Sequence, residues 1–574
     1  MELIYLWIDD FRNIKQQEFN FSNQYSLTYD QISNEISATS IGGGLALKEK
    51  NGTLEFEEDY EHYLNDFFHP KISNITAIIG KNSSGKSNVI DFILTAISSG
   101  SRGKLKNNYI LLFKKNSQPF FFGRTEKRGT ETSMLSCQGI KLSKINPSDE
   151  WESMFYSNVA DNKNYIFEDS TVHNFSFKNL SKLQSNKIKF VTSPSFDKTL
   201  RRLSSIKQDT KNLRFVFYPT AYTELSNSDP EDQKIKGVIL RYRRALKYGS
   251  NYNKFKYGIT INLLCFLYHN GINISPLLEK VEIDGKTGFA EKIASLDPKV
   301  SKFLTQFVGY TELGSLSSND FELYQQLLKE LVNTQYDFGV VENNTDSIIV
   351  DFSEDFKSII YKKAEIFNTQ TLISHDWSQL SSGMRAYLNL FSQLYYLAIQ
   401  ITGSSKNLLI CIDEGDLYLH PEWQKNFLND LIEFVTSIFD TGKIQIILTS
   451  HSPFLISDLP KENILLLNES GEPTKHLFAD SSFGGNIHQL FTNQFFLSTG
   501  SIGEFAKIKI QTLLKDIPNM IDDNVNNYKK RIEMIGEPIL RYRLLEVFET
   551  RIKQLSNEKK IDWHMQQIEK LRQK

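Results

Sequence analysis

At 574 residues the chain is long enough for two or three domains, or for one domain carrying a large insertion. Its hydrophobic (40%) and charged (23%) fractions are those of a globular protein with a sizeable core, which excludes a disordered or fibrous chain. A net charge of -2 excludes a global field that would gather nucleic acid or an acidic membrane surface, so any basic footprint must be local. Cys137, Cys265 and Cys411 are far apart and lack CxxC spacing, which speaks for a reducing compartment and against a disulfide framework or cysteine zinc site.

The first ten residues place acid on both sides of a short apolar run and have no basic n-region, so they read as a strand and not as a signal peptide. No stretch approaches the roughly 20 apolar residues needed to span a bilayer. Ala386 to Ile401 comes nearest and is interrupted by Asn389, Ser392, Gln393 and Gln400. A soluble, cytoplasmic protein without a membrane partner is expected.

Ile4–Ile8 and Glu18–Phe21 look like strands on either side of the polar Arg12-Asn13 turn, and residues 40–60 suggest further hairpin strands. Ile75 to Ile79 is a short buried-strand run ending at Gly80, after which Val89, Ile90, Ile93, Leu94 and Ile97 form one helical face. Strand-like pieces follow at Ile110–Phe113, Pro119–Phe122, Met154–Tyr156 and Phe215–Tyr218. Helical patterns dominate from about 226 to 345, without the sustained heptads of long coiled-coil arms. Strands return at Leu408–Ile412, Lys443–Leu448 and Ile464–Leu467, with the helical spacing of a parallel α/β sheet. Beyond residue 500 the tail is helical, with Ile539, Leu540, Leu544, Val547, Phe548, Ile552 and Leu555 on one face. That face suits either docking of a companion or packing on the chain's own ATPase core.

The strongest motif is Gly80-Lys81-Asn82-Ser83-Ser84-Gly85-Lys86-Ser87, a GxxxxGKS run between a strand and a helix. The glycines let backbone N–H groups turn inward around phosphate, and the helix start adds a positive dipole. Lys86 reaches the β/γ-phosphates and Ser87 ligates Mg²⁺. The loop residues, with Asn88 next to them, are therefore the candidate ATP contacts. Leu408 to Glu414 is an apolar strand ending in two acids. Asp413 falls at the sheet edge, where it can hold Mg²⁺, and Glu414 can polarise the attacking water.

Leu380-Ser381-Ser382-Gly383-Met384-Arg385 opens a helix between these two motifs and resembles the LSGGQ/E signature of ABC ATPases. That likeness implies that Ser381 and Gly383 contact the γ-phosphate bound by the opposite subunit. A plain serine helix cap is the alternative. Met384 stands where the family carries Gln or Glu, so the side-chain contact made there is not expected. Thr449-Ser450-His451-Ser452-Pro453 follows the next apolar strand, and in ABC-type ATPases a histidine here contacts the γ-phosphate. The Q-loop glutamine has no obvious counterpart. Tyr156-Ser157-Asn158 is the position to test, with a simple polar turn as the equal alternative. Phe11-Arg12-Asn13-Ile14 resembles the N-terminal turn of SMC-like and RecF-like ATPases, which implies that Arg12 and Asn13 lie near the nucleotide; a solvated turn is the alternative.

Lys86 and Ser381 are widely separated in the chain, so a large insertion divides the two halves of the site. Ile412-Asp413-Glu414-Gly415-Asp416-Leu417-Tyr418-Leu419-His420-Pro421-Glu422-Trp423-Gln424 resembles a block of prokaryotic antiphage-defence ATPases of the OLD/RecF-like ABC branch. Phe483 to His488, Gly503 to Lys507 and Ile535 to Pro538 resemble later blocks of the same proteins. The nearest likeness is to Septu-type ATPases, including retron-associated ones. It covers roughly residues 1–95 and 370–550 and implies antiphage defence, a dimer closed around ATP, and a separately encoded HNH nuclease as partner. The chain shows neither an HNH-like histidine cluster nor the acidic constellation of an OLD nuclease. A RecF/SMC-like DNA-repair ATPase and an OLD-type ATPase with intrinsic nuclease remain the alternatives.

Arg241, Arg243, Arg244, Lys247, Lys254 and Lys256 interleave with Tyr242, Tyr248, Tyr252, Phe255 and Tyr257 in an acid-free stretch. Cations and stacking rings suit a nucleic-acid groove. A solvated basic helix face or a patch for an acidic protein would look the same. The elements together predict an α/β fold: an ABC-type ATPase head, its P-loop parallel sheet flanked by N-terminal antiparallel strands, with a large, mainly helical insertion and a helical C-terminal tail. Expected divisions are 1–100 for the first lobe with the phosphate loop, 101–225 for its mixed remainder, 226–365 for the insertion, 366–500 for the second lobe, and 501–574 for the tail.

Overall fold

The computed structural model describes most of residues 1–193 and 380–572, the strands between 212 and 217, 340 and 351, and 373 and 376, and scattered residues elsewhere. The described residues form two compact units, Met1–Leu490 and Phe491–Lys574.

The first unit is built on a six-stranded, wholly parallel sheet. Its order is Val172–Phe175, Trp151–Ser157, Asn407–Asp413, Ile444–Ser450, Ile72–Gly80 and Ile464–Leu467. Asn407–Asp413 reads NLLICID and Ile444–Ser450 reads IQIILTS; nearly every residue of both is buried. Continuous apolar runs of this kind are what strands covered on both faces require. In the parallel register Ser157 lies opposite Asp413, Asp413 opposite Thr449, and Ser450 opposite Ile79. All the strand ends that carry motif residues therefore fall on one edge, where ligands bind in open α/β sheets.

A second sheet packs above it, in the order Ser143–Lys144, Gln118–Arg124, Tyr109–Lys115, Glu2–Phe11, Ile14–Asn20, antiparallel except for the outer Ser143–Lys144 pairing. The Lys86–Ile97 helix lies in the core between the two sheets. Val89, Ile90, Ile93, Leu94 and Ile97 meet Leu3, Leu6 and Ile8 on one side and Ile78, Cys411 and Ile447 on the other. Each fully buried side chain of this size is worth about 1.5–3 kcal/mol relative to exposure. The sheets are also stitched by a buried amide: Gln445 accepts from the Leu3 N–H and donates to the Leu3 carbonyl, both at 2.8 Å. Leaving either backbone group unpaired in this interior would cost more than the bond contributes.

The opposite face of the Glu2–Phe11 strand, Ile4, Tyr5 and Trp7, packs with Tyr25, Leu27 and Ile36 of a smaller four-stranded sheet. Leu47–Lys50 and Thr53–Phe56 form the hairpin expected within residues 40–60. The stretch expected to be mainly helical also contributes two strands near its end, Val340–Asn343 and Ser347–Asp351. They join Asn212–Phe217 and Ile373–Asp376 in an antiparallel sheet. The run Ser347-Ile348-Ile349-Val350-Asp351 is β-branched at its centre, which favours a strand. The remaining described residues of that stretch, such as Gln233, Lys236, Ile259 and Leu327, are helical.

The second unit has its own core, in which Leu544, Phe548 and Ile552 pack with Leu513, Ile517, Met520, Val525 and Ile532. This corrects the expectation for the face of the Pro538–Gln554 helix. Its central residues are occupied by neighbouring helices of the tail, because i, i+4, i+8 spacing aligns them along one stripe. Among the described residues, no helix is long and apolar enough to cross a membrane.

Candidate active site

The phosphate loop leaves the Ile72–Gly80 strand and enters the Lys86–Ile97 helix through Gly85, whose φ of 97° lies in the left-handed region. Glycine is needed there twice over. A side chain would be strained at that φ, and a Cβ would lie 2.7 Å from the Asn13 side-chain amide. Asn13 and Arg12 thus sit against the loop, but Arg12 reaches past its mouth to brace the helix. Its guanidinium meets Asp91 at 2.5 Å and donates to Asn88 Oδ1 at 2.8 Å, while Asn88 Nδ2 donates to Asn13 Oδ1 at 2.6 Å. Ser84 is buried, and its hydroxyl has no hydrogen-bond partner among the described residues. Lys81 is half-buried, and Asn82 and Ser83 face solvent.

Lys86 folds over the loop. Its Nζ donates to the carbonyls of Gly80 (2.8 Å) and Lys81 (3.2 Å) and lies 2.9 Å from His451 Nε2. His451 Nε2 is 3.5 Å from Glu414 Oε1. The four expected residues Lys86, Asp413, Glu414 and His451 therefore converge from three adjacent strands. Burial pulls the Lys86 ammonium below its usual value, against the carboxylates of Glu414 and Asp413. Glu414 is held below the usual carboxylate range by its hydrogen bond to His451, with the charges of His451 and Lys86 adding and burial opposing.

Ser87 Oγ donates to Asp413 Oδ1 at 2.9 Å, and Thr449 Oγ1 donates to the same oxygen at 2.6 Å. A hydroxyl and a carboxylate from two elements meeting at one point form a hard oxygen set, which fits Mg²⁺. Thr449 also accepts from the Glu414 N–H, at 2.9 Å through its hydroxyl and 3.2 Å through its carbonyl. These bonds hold Glu414 at φ 49°. For a residue with a side chain, that conformation costs on the order of 1 kcal/mol. The bend aims Glu414 away from Asp413 and toward His451.

Asn158 follows Ser157 at the same edge and is buried. Tyr156 Oη donates to Asn158 Oδ1 at 2.6 Å, and the Asn158 Nδ2 has no hydrogen-bond partner among the described residues. This residue belongs to the stretch Tyr156-Ser157-Asn158 read as either a Q-loop counterpart or a polar turn. Its place beside Asp413 depends on strand order, which no local pattern states.

Ser381 caps the Ser382–Gln400 helix, its hydroxyl accepting from the Met384 N–H at 3.3 Å. Gly383 is packed on its own chain: a Cβ there would lie 2.9 Å from the Tyr418 carbonyl oxygen. The close approach this glycine permits is to the turn after Glu414. His420 likewise has a structural task, capping the Pro421–Ile438 helix. The basic cluster Arg241, Arg243, Arg244, Lys247, Lys254 and Lys256 lies outside the described residues.

Residues 63–456, more than half of the chain, match the AAA ATPase domain family. The chain belongs to that family. This ATPase is 23% identical over 452 residues to the retron Vc95 probable ATPase of Vibrio cholerae serotype O1 biovar El Tor, covering 75% of this chain and 76% of that protein. It is 28% identical over 150 residues to the retron Ec83 probable ATPase of Escherichia coli, covering 25% of this chain and 27% of that one. Among solved structures it is similar to the recombination mediator protein RecF with ATP, at 12% identity and a TM-score of 0.24, over 83% of this chain and 99% of that one. That likeness is too distant to bear on what the ATPase does.

Proposed function

We propose that this chain binds ATP with Mg²⁺ on the loop Gly80–Ser87 and hydrolyses it, and that two copies close around the nucleotide. The convergence of Lys86, Asp413, Glu414 and His451 on one sheet edge carries this reading. Lys86 exchanges its two loop carbonyls for β/γ-phosphate oxygens. Ser87 and Asp413 hold the Mg²⁺ ion, which when bound neutralises charge developing on the phosphates. Glu414, kept ionised by its neighbours, accepts a proton from the attacking water, and His451 donates to the γ-phosphate. Asn158 supports the same reading: its amide N–H, orientated by Tyr156, is free to donate to the water or the γ-phosphate. Ser381 of the second copy completes the site through its hydroxyl and the N-terminus of its helix.

The retron-associated names of the two relatives, together with the blocks around Asp413–Gln424, support a place in antiphage defence. There, ATP turnover would control a separately encoded HNH-type nuclease. The site test is Glu414→Gln. This variant should bind ATP as the wild type does, with turnover reduced on the order of 100-fold or more. Hydrolysis at the wild-type rate would remove Glu414 from the role assigned to it.

A further inference from the structure

The nucleotide-site motifs do not account for Asp416, Gln424, Ser450 and Ser452, which with Leu419 form a closed ring of hydrogen bonds beside them. Asp416 is buried, and its Oδ2 accepts from Ser450 Oγ at 2.5 Å. Ser450 Oγ in turn accepts from the Ser452 N–H at 2.8 Å. Ser452 Oγ donates to Gln424 Oε1 at 3.0 Å, and Gln424 Nε2 donates to the Leu419 carbonyl at 3.1 Å. The Leu419 N–H closes the ring on the Asp416 carbonyl at 3.1 Å. His451 is the residue between the two pinned serines, and Glu414 lies two residues before Asp416.

We infer that Asp416 and Gln424 are positioning residues that fasten the His451 loop to the turn carrying Glu414, so that the two side chains are held together before ATP arrives. The inference rests on the ATPase reading above. Strands Asn407–Asp413 and Ile444–Ser450 stop pairing at Asp413 and Thr449. Beyond that point the Glu414 N–H still bonds to Thr449, but no further strand pairing joins the two chains. Glu414 and His451 are both past the last paired position, yet they lie 3.5 Å apart. Among the described residues, two bonds of the ring cross between the segments, Ser450 to Asp416 and Ser452 to Gln424, and the other three hold each segment in shape on its own side. A misplacement of about 1 Å at reacting groups can lower turnover on the order of 100-fold.

The experiment compares the full-length chain with Asp416→Ala, Ser450→Ala, their double variant, Gln424→Ala and the conservative Asp416→Asn, which keeps an oxygen for the Ser450 hydroxyl. Expected for Asp416→Ala and Ser450→Ala is a fall in kcat of about 10-fold or more with KM for ATP little changed. The double variant should be no worse than either single one, Gln424→Ala should fall in the same direction, and Asp416→Asn should recover most of the loss. Additive losses in the double variant would overturn the inference. So would loss of stability and ATP binding with kcat unchanged. A crystal structure of Asp416→Ala and of Gln424→Ala reads the same point without turnover. Glu414 and His451 should separate beyond their present contact, and an unmoved pair would overturn the inference. If the wild-type chain hydrolyses no ATP, the ATPase reading fails, and the crystallographic comparison still decides what the ring does.

Discussion

Gly383 shows how a residue read for one close approach also serves another within its own chain. A glycine in the LSSGM run implies close approach, and the approach found is to the Tyr418 carbonyl, a backbone atom that cannot swing aside. Tyr418 is itself held at φ 71° and leaves more than half of its side chain exposed. The helix start and the turn after Glu414 are therefore one packed unit. Gly383→Ala should lower stability by about 1–3 kcal/mol, the usual cost of forcing one extra carbon into a filled site. Denaturant unfolding would read this as a lower midpoint at unchanged slope. An unchanged midpoint would mean the Tyr418 turn yields without cost.

Among the elements, the short Pro453–Ser457 helix ties the histidine loop to the rest of the second lobe. Ser452 caps it, Leu455 and Ile456 are buried, and Asp458 closes it. Its last residue Ser457 donates to the Gly485 carbonyl and accepts from the Gly484 N–H through its own carbonyl, which gives the Phe483–His488 block a structural role. Burial raises the Asp458 carboxyl from 3.8 to about 6. The sign follows from linkage. A carboxyl whose folded value is raised contributes stability that is fully present below its unfolded value and is lost as pH rises through about 6. Above that pH the ionised group is a standing cost. Asp458→Asn should thus be more stable than the wild type at pH 8 by about 1–2 kcal/mol. The difference should shrink as pH is lowered through the folded value. A gap that is independent of pH would assign the effect to something other than ionisation.

On the scale of the whole molecule, the proposed dimer predicts complementation between two inactive chains. Lys86→Ala removes the charge opposing the phosphates, and Ser381→Arg places bulk and like charge where the second copy would meet them. A mixed dimer of these variants contains one composite site in which both residues are intact. The mixture should recover up to about a quarter of wild-type activity, because half of the dimers formed at random are mixed and each has one working site of two. Proven mixed dimers with no recovered hydrolysis would refute the trans arrangement.

The sequence by itself determined the parts of this ATPase whose chemistry is local. The phosphate loop with Lys86 and Ser87, the strand ending in Asp413-Glu414 and the strand before His451 each announce themselves. In each case a buried apolar run followed by a polar edge is readable without knowing its neighbours. The same logic placed the antiparallel strands at Ile4–Ile8 and Ile110–Phe113 and the helix between the sheets. It did not single out Ser347–Asp351, where a short apolar run set beside helical patterns has no distinguishing period. Only the tertiary structure decided what depends on strand order and packing. Asn158 stands beside Asp413 because Trp151–Ser157 pairs with Asn407–Asp413, two strands far apart in the chain. Arg12 braces Asp91, the apolar stripe of the Pro538–Gln554 helix is filled by the tail itself, and Asp416 reaches Ser450. Each of these contacts joins residues whose separation along the chain carries no periodic signal, so their meeting is fixed by how the layers stack and not by any local preference of the residues involved.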